Sequence, residues 1–267
     1  MKFTKMHANG NDYIYIDVHK QPFDSPDKRA PLLCDRHFGV GGDGLVLLCP
    51  AEKGDFRMRI FDPDGTEAEL CGNALQCSAA LFSLSKGAKQ RTVSVMTSVG
   101  LREINLCFED EETARTSVML PYPDVIFSDR KILFGEKFFA ATYLSFGNPH
   151  CVVLTQDISD DCFLAYAPLL ENHPLFPQRA NVEFVQFLSR NHLRMRTWER
   201  GCGETLSCST GSGAAVFAAY AQGLTDLNVT VEQPGGSIEV SLEPQAKQVT
   251  VSSMAKITFR GEFSDSI

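Results

Sequence analysis

Short segments in which apolar and polar residues alternate occur along the whole chain, and they predict a protein built mainly from β-strands. Alternation with a period of two residues is typical of strands that bury one face. Turn signals such as Asp64-Gly65 and Pro234-Gly235-Gly236 separate the segments. The strand-like runs lie at 13–18, 45–48, 56–61, 93–96, 117–120, 151–154, 182–187, 193–198, 229–231 and 238–240.

Two segments break this pattern and predict helices, over 72–84 and 209–222. Small apolar residues cover all sides of both helices, which predicts that each helix is buried, as if wrapped by a sheet. The two helices also begin alike, with a leucine and a cysteine followed by small polar residues, at 70–73 and 206–210. We interpret this likeness as a weak internal repeat, which predicts two related halves.

The boundary between the halves is expected near residues 110–122. The acidic run 109–112 is typical of a solvated surface segment, and Pro121 and Pro123 follow it. We therefore predict an α/β (α+β) fold with an N-terminal half over 1–115 and a C-terminal half over 116–255. A C-terminal strand near 256–267 is expected to pack back onto the first half.

Composition and charge exclude several classes of protein. The 267 residues are 43% hydrophobic and 22% charged, as in ordinary globular proteins. The net charge of −8 argues against nucleic acid or an anionic membrane surface as a partner. The N-terminus has no apolar signal segment, and no apolar run reaches the length of a membrane span. Nine cysteines, an odd number, suggest reduced thiols and a cytoplasmic location.

The cysteines at the helix starts, Cys71 and Cys208, are the strongest candidates for chemistry. The positive end of a helix dipole lowers the pKa of a thiol, and the first N–H groups of a helix bind carboxylates. Two such starts facing one substrate would place a sulfur on each side of its α-carbon, as inversion by one base and one acid requires. On this pattern alone, packing is the commoner role of such cysteines, and the alternative stays open.

Other kinds of site receive less support. Neither Cys71 with Cys77 nor Cys202 with Cys208 has the spacing of zinc ligands, so no metal is expected. The glycine-rich segment 39–44 lacks the spacing of a dinucleotide-binding loop and is interpreted as a tight loop. No lysine stands in a setting that indicates a pyridoxal Schiff base.

Six motifs in order resemble the diaminopimelate epimerase family, and they extend over nearly the whole chain. They are Lys5-Met6-His7-Ala8-Asn9-Gly10-Asn11-Asp12, residues 35–44, Asp64-Gly65-Thr66-Glu67-Ala68-Glu69-Leu70-Cys71-Gly72-Asn73, Gly147-Asn148-Pro149-His150-Cys151, Asn181-Val182-Glu183-Phe184-Val185 and Trp198-Glu199-Arg200-Gly201-Cys202-Gly203-Glu204-Thr205.

The resemblance implies two pseudo-symmetric halves, each a curved, mostly antiparallel sheet around a central helix, with the active site in the cleft between them. It implies an isomerase that interconverts LL- and meso-diaminopimelate without a cofactor, in lysine and peptidoglycan biosynthesis, as a homodimer. The residues it implies are Cys71 and Cys208 as the acid–base pair, His150 and Glu199 beside the thiols, Asn11, Asn148, Asn181 and Arg200 at the distal end of the substrate, and the amides of Gly72, Asn73, Ser209 and Thr210 at its reacting carboxylate.

The sequence departs from the usual family pattern at five positions. Ala74 and Gln76 replace a glycine and an arginine, Ser209 replaces a glycine, Ala8 replaces a glycine, and Asp62 stands where an asparagine usually binds the distal end of the substrate. Both sulfurs remain, so the chemistry is expected to persist. Asp62 adds a negative charge at the substrate, which leads to the hypothesis of a less strict amino-acid racemase that also accepts glutamate.

Two further alternatives remain at this stage. A proline or hydroxyproline racemase would share the fold, but the Asn-Gly-Asn-Asp and Trp-Glu-Arg-Gly motifs argue against it. A thiol redox protein would use Cys71 and Cys208 as a disulfide pair, because thiols of low pKa are easily oxidised.

Overall fold

The computed structural model describes residues 1–87 and 90–264, which fall into two compact units. Unit 1 comprises Met1–Val118 and Ser253–Ile267, and unit 2 comprises Met119–Ser252. Of the predicted C-terminal strand, residues 265–267 lie outside the described part of the chain.

Unit 1 contains most of the first ten strands and helices along the chain. They are β1 (Lys2–Ala8), β2 (Asn11–Asp17), α1 (Pro26–Cys34), β3 (Gly44–Cys49), β4 (Phe56–Phe61), β5 (Glu67–Ala68), α2 (Gly72–Ser85), β6 (Gln90–Thr97), β7 (Gly100–Phe108) and β8 (Thr113–Pro121).

Unit 2 follows with the remaining strands and helices. They are β9 (Asp124–Phe134), β10 (Lys137–Ser145), β11 (Pro149–Leu154), α3 (Asp160–Glu171), β12 (Asn181–Ser189), β13 (His192–Glu199), β14 (Gly203–Thr205), α4 (Ser209–Ala221), β15 (Asn228–Gln233), β16 (Gly236–Glu243) and β17 (Gln248–Glu262). The C-terminal part of β17 belongs to unit 1, where it pairs with β1 and β8.

The order of strand pairings is the same in the two units. In unit 1, β1–β2 is antiparallel, β2–β3 parallel, β3–β4 antiparallel and β4–β6 parallel. In unit 2, β10–β11 is antiparallel, β11–β12 parallel, β12–β13 antiparallel and β13–β15 parallel. The structure therefore confirms the predicted α/β fold of two related, mostly antiparallel halves.

The repeat extends to single residues. Arg59 of β4 forms a two-pronged ion pair with Glu67 of β5, at 2.8 and 2.7 Å. Arg196 of β13 forms the same pair with Glu204 of β14, at 2.8 and 2.9 Å. We call residues register-equivalent when they occupy the same place in these matching pairings. By this definition Asp62, one residue after β4, is equivalent to Glu199.

Helices α2 and α4 lie at the centre of their units, as their composition predicted. Helix α2 packs against β1, β2, β3, β4, β6 and β7, and α4 packs against β10, β11, β12, β13, β15 and β16. Most of their residues are buried, because alanine, glycine and serine allow strands to approach on every side. The observed starts at Gly72 and Ser209 are those that the sequence predicted.

Packing on both faces of β12 fixes the position of its acidic side chain, Glu183. Strand β12 is buried on both faces, and successive residues of a strand point to opposite faces. On one face, Phe184 makes an edge-to-face contact with Phe163 of α3, with ring centroids 5.4 Å apart. On the other face, Glu183 approaches Gly211 of α4. Aromatic packing on one side of β12 thus holds an acidic side chain against the central helix on the other side.

Candidate functional site

Cys71 is the residue that immediately precedes α2, and its sulfur contacts two polar side chains from β2. Its backbone is extended, with φ −129° and ψ 123°, as is usual for a residue that caps a helix. The hydroxyl of Tyr13 donates a hydrogen bond to Sγ over 3.2 Å, and Sγ donates to Oδ1 of Asn11 over 3.4 Å. Nδ2 of Asn73 donates to the same Oδ1 over 3.3 Å. Asn11 therefore lies at the sulfur itself.

Asp43 fixes the orientation of the Asn11 amide. Oδ2 of Asp43 accepts hydrogen bonds from Nδ2 of Asn11 at 2.9 Å and from the backbone N–H of Asp12 at 3.0 Å. Arg36 pairs with Asp43 and with Asp12, each at 2.7 Å. Burial opposes ionisation of Asp12, but hydrogen bonds from Arg36 and Lys5 hold its pKa below the ordinary value. The glycine-rich segment 39–44 thus contains a carboxylate, that of Asp43, which orients Asn11.

Two of the residues that depart from the family pattern have clear surroundings in unit 1. Gln76 is fully buried, and its Oε1 accepts hydrogen bonds from the hydroxyls of Thr116, at 2.5 Å, and Ser253. A neutral amide suits this neutral cluster. Asp62 is half-buried, and both burial and the charge of Asp64 raise its pKa. Its predicted contact with substrate stays a prediction.

Cys208 caps α4 with nearly the same backbone as Cys71, φ −130° and ψ 115°, but it is only 6% exposed. Its sulfur accepts the N–H of Gly211 at 3.4 Å and lies 3.6 Å from the hydroxyl of Thr210. Its own N–H donates to Oε1 of Gln233 at 2.9 Å. Gln233 has no motif around it, so sequence reasoning missed this contact.

The sequence predicted a lowered thiol pKa at both helix starts, and for Cys208 that prediction is wrong. Burial raises the pKa of Cys208 well above the ordinary value, and the charges of Glu199 and Glu183 raise it further. Hydrogen bonds from Gly211 and Thr210 act in the opposite direction but are outweighed. Desolvation and two nearby carboxylates therefore favour the protonated thiol of Cys208 over the thiolate.

His150 and Glu183 form a buried pair in the same region of unit 2. Nδ1 of His150 lies 2.7 Å from Oε1 of Glu183, and both side chains are 0% exposed. Among the described residues, neither Nε2 of His150 nor Oε2 of Glu183 has a hydrogen-bond partner. Glu183 received no role from the sequence. The signal that identifies it is an acidic residue between apolar neighbours, Val182 and Phe184, in a buried part of the strand, where a charge is costly unless it has a function.

Two other predicted residues of unit 2, Glu199 and Asn148, lie near Cys208 and Thr210, respectively. Glu199 accepts the hydroxyl of Thr205 at 2.8 Å and lies close enough to Cys208 to raise its pKa. Nδ2 of Asn148 donates to the hydroxyl of Thr210 at 3.2 Å, which brings Asn148 to the start of α4.

Asn181 and Arg200 form a separate corner. The Asn181 side chain donates to the carbonyl of Pro149 at 3.1 Å and accepts the N–H of Arg200 at 2.9 Å. The exposed Arg200 guanidinium donates to the carbonyl of Gln178 at 3.1 Å. In this structure both side chains shape a loop, and their contact with substrate stays a prediction.

The four amides that the resemblance assigns to the reacting carboxylate belong to the first two residues of the central helices. They are those of Gly72, Asn73, Ser209 and Thr210. The first N–H groups of a helix point outwards along its axis, where the dipole favours an anion. Each unit therefore places one cysteine and one set of helix-start donors at the beginning of its central helix.

The charge of Glu183 provides a direct test of this description of Cys208. Glu183→Gln keeps the size of the side chain but removes a negative charge that raises the pKa of Cys208, so we expect that pKa to fall. The rate of iodoacetamide alkylation at Cys208, followed by peptide mass mapping across pH, measures this shift. Glu243→Gln, an exposed substitution in the same unit, is the matched control and should not change the profile. An unchanged profile in Glu183→Gln would contradict the description.

Two kinds of feature are absent from residues 1–87 and 90–264. No helix there is long and apolar enough to cross a membrane. No group of three or more His, Cys, Asp or Glu side chains there is arranged to hold a metal ion.

Comparison with known proteins identifies the class and then the family. A hydroxyproline epimerase from Agrobacterium vitis has the same fold, with a TM-score of 0.71 and 18% identity over 98% of this chain and 90% of that one. Together with the family match given next, two like halves, each with a cysteine before a buried helix, place the protein among the isomerases that epimerise or racemise.

The family profile described as diaminopimelate epimerase matches residues 3–121 and 142–259. Diaminopimelate epimerases from Agathobacter rectalis and Desulforudis audaxviator are 38% and 41% identical, each over 98% of this chain and 99% of the relative. The chain belongs to the diaminopimelate epimerase family.

Proposed function

We propose that the protein interconverts LL- and meso-diaminopimelate by proton transfer at one α-carbon, as a step of lysine and peptidoglycan biosynthesis. The observation that carries the proposal is the repeat of one arrangement. Cys71 and Cys208 each precede the central helix of their unit, and their own φ angles are −129° and −130°. The chain also matches named diaminopimelate epimerases over almost its whole length. The relatives' names support the substrate, and the site supports the chemistry.

The proposed reaction uses one thiolate and one thiol. The Cys71 thiolate removes the α-proton from one face, and the Cys208 thiol donates its proton to the other face. The products are an inverted α-carbon, a Cys71 thiol and a Cys208 thiolate, so that protons balance and the reverse reaction uses the opposite roles. The raised pKa of Cys208 favours it as the initial acid. The helix-start amides of Gly72, Asn73, Ser209 and Thr210 stabilise the charge that develops on the carboxylate.

The remaining predicted residues receive supporting roles in this proposal. His150 and Glu199, together with the newly identified Glu183, hold or move the proton of Cys208. Asn148 positions Thr210 at the start of α4. Asn11, Asp62, Asn181 and Arg200 are proposed to contact the substrate, and the contact of Asn11 with Cys71 places it near the reacting carbon.

Deuterium incorporation tests the function. In D₂O, LL-diaminopimelate should become meso-diaminopimelate with one deuterium at the inverted α-carbon, and mass spectrometry and chiral chromatography measure both changes. We expect the same rate after removal of pyridoxal phosphate and in the presence of a chelator. Inversion without deuterium uptake, or no inversion, would refute the proposal.

The same assay separates the alternatives. The relatives named above give no support to a relaxed amino-acid racemase or a thiol redox protein. Racemisation of glutamate at a rate comparable to that of diaminopimelate would restore the first. Dithiol turnover without exchange of the α-proton would restore the second.

The location and assembly of the protein are also proposals. The odd number of cysteines, nine, supports a reducing compartment such as the cytoplasm. The family resemblance supports a homodimer.

A further inference from the structure

We propose that Tyr13 sets the reactivity of Cys71, because its hydroxyl is a hydrogen-bond donor that stabilises the Cys71 thiolate. The inference rests on the proposed function only in that Cys71 is the base. The contact itself belongs to unit 1 and can be tested without substrate.

The structure holds the Tyr13 ring firmly at this contact. Tyr13 lies on β2, is only 7% exposed, and its hydroxyl is 3.2 Å from Sγ. It pairs with Gly44 on the parallel strand β3. A Cβ built on Gly44 would lie 2.8 Å from Cε1 of Tyr13, so the absence of a side chain at Gly44 makes room for the ring. The glycine at the end of segment 39–44 therefore positions Tyr13, just as the preceding Asp43 positions Asn11.

The contacts of the sulfur with Asn11 and Tyr13 have opposite chemical effects. Asn11 accepts a hydrogen bond from the thiol, and Asp43 prevents its amide from turning to donate instead. An acceptor favours the protonated sulfur. Tyr13 donates, and a donor favours the anion, with a hydrogen bond that strengthens as the sulfur becomes charged. Because the ordinary pKa of tyrosine is about 10, the phenol remains a donor at neutral pH.

The internal repeat supports this role independently. The first residue pair of the parallel β2–β3 ladder is Tyr13 with Gly44, and the first pair of the parallel β11–β12 ladder is His150 with Asn181. Tyr13 is therefore register-equivalent to His150. Each unit places a polar side chain at this strand position, with the phenol at Cys71 in unit 1 and the histidine in the acidic cluster of Cys208 in unit 2. The difference prepares Cys71 to lose a proton and Cys208 to keep one.

The test is the pH dependence of Cys71 alkylation in Tyr13→Phe. Loss of the hydroxyl should raise the apparent pKa of Cys71 by about one unit, equivalent to about 1.4 kcal/mol. At a pH below the pKa of Cys71 in the unmodified protein, iodoacetamide should therefore react with Cys71 about tenfold more slowly in Tyr13→Phe than in the unmodified protein. At a pH above the Cys71 pKa of both proteins, the two rates should be equal. The kcat for diaminopimelate at neutral pH should fall by a similar factor. Peptide mass mapping measures the reaction, with the exposed Cys107 as internal reference.

Tyr15→Phe is the matched control. Tyr15 lies two residues further along β2 and is buried, and its hydroxyl reaches the carbonyl of Ala74 at 3.4 Å. Its loss should leave the alkylation profile of Cys71 unchanged. A profile that is the same in Tyr13→Phe and the unmodified protein would overturn the proposal, as would an equal shift in Tyr15→Phe.

A second variant keeps the test valid if Tyr13→Phe does not fold. Incorporation of 3-fluorotyrosine at position 13 makes the phenol more acidic and a stronger donor, so the pKa of Cys71 should fall. A rise or no change would also overturn the proposal. A shifted alkylation profile in a protein that does not epimerise diaminopimelate would leave this inference standing and refute the proposed function alone.

Discussion

Replacement of either Cys71 or Cys208 by alanine is expected to lower the rate of diaminopimelate epimerisation by at least about a thousandfold. Inversion needs a proton acceptor on one face of the α-carbon and a donor on the other, and one positioned acid or base contributes about 10²–10⁴-fold. Chiral chromatography of the products measures the loss. Because neither sulfur can act on both faces, the two single variants should be equally inactive.

Two controls separate chemistry from folding. Cys208→Ser keeps a hydrogen-bond acceptor for the N–H of Gly211, so α4 stays capped while the thiol is lost. It should therefore melt at nearly the temperature of the unmodified protein and still be inactive. Cys107→Ala, at an exposed site, should retain full activity. Full epimerisation by any variant that lacks Cys71 or Cys208 would disprove the two-cysteine assignment.

Gly211→Ala is expected to lower the epimerisation rate by about a hundredfold, although it should favour the helix. A Cβ at this position would lie 2.7 Å from Oε1 of Glu183 and 3.2 Å from the sulfur of Cys208, so one of these groups must move. A displacement of about 1 Å at a reacting group costs about 10²-fold in rate. Steady-state kinetics should show the loss mainly in kcat.

Gly213→Ala is the matched control for this prediction. It lies one residue beyond Ser212 on the same helix, and the nearest neighbours of a Cβ there would be Phe146 and Val249, at 3.4 and 3.5 Å. Both substitutions replace glycine by alanine inside a helix, which by itself stabilises by about 1 kcal/mol. Gly213→Ala should thus retain activity and melt slightly higher. Equal activities of the two variants would show that the space beside Cys208 is not critical.

The repeat explains why the two halves tolerate different residues. Position 74 follows Cys71 by three residues, as Gly211 follows Cys208, and it holds an alanine that is fully buried. The strand position equivalent to Glu183 is Val46, because each follows the first pair of its parallel ladder by two residues. Unit 1 has the apolar Val46 where unit 2 has Glu183. We infer that unit 2 has a glycine at position 211 because a larger residue there would collide with Glu183. Departures from the family pattern are therefore best judged against the other half of the same chain.

The sequence by itself determined the elements and the reacting atoms of this protein. Alternation of apolar and polar residues marked the strands, and small residues marked α2 and α4 with their starts at Gly72 and Ser209. Both signals are local, since side-chain periodicity and helix capping depend on residues only a few positions apart. Six ordered motifs then sufficed to place the chain in its family.

Only the tertiary structure decided what surrounds each sulfur. Tyr13 is 58 residues from Cys71, Asn11 is 32 residues from Asp43, and His150 is 33 residues from Glu183. Strand pairing creates these contacts, and its register is not visible in any one segment. Burial also reversed the prediction for Cys208, because the cost of charging a desolvated thiol beside Glu183 and Glu199 exceeds the local effect of a helix start. The local pattern thus identified both cysteines, while long-range packing and solvent exclusion made Cys208 an acid.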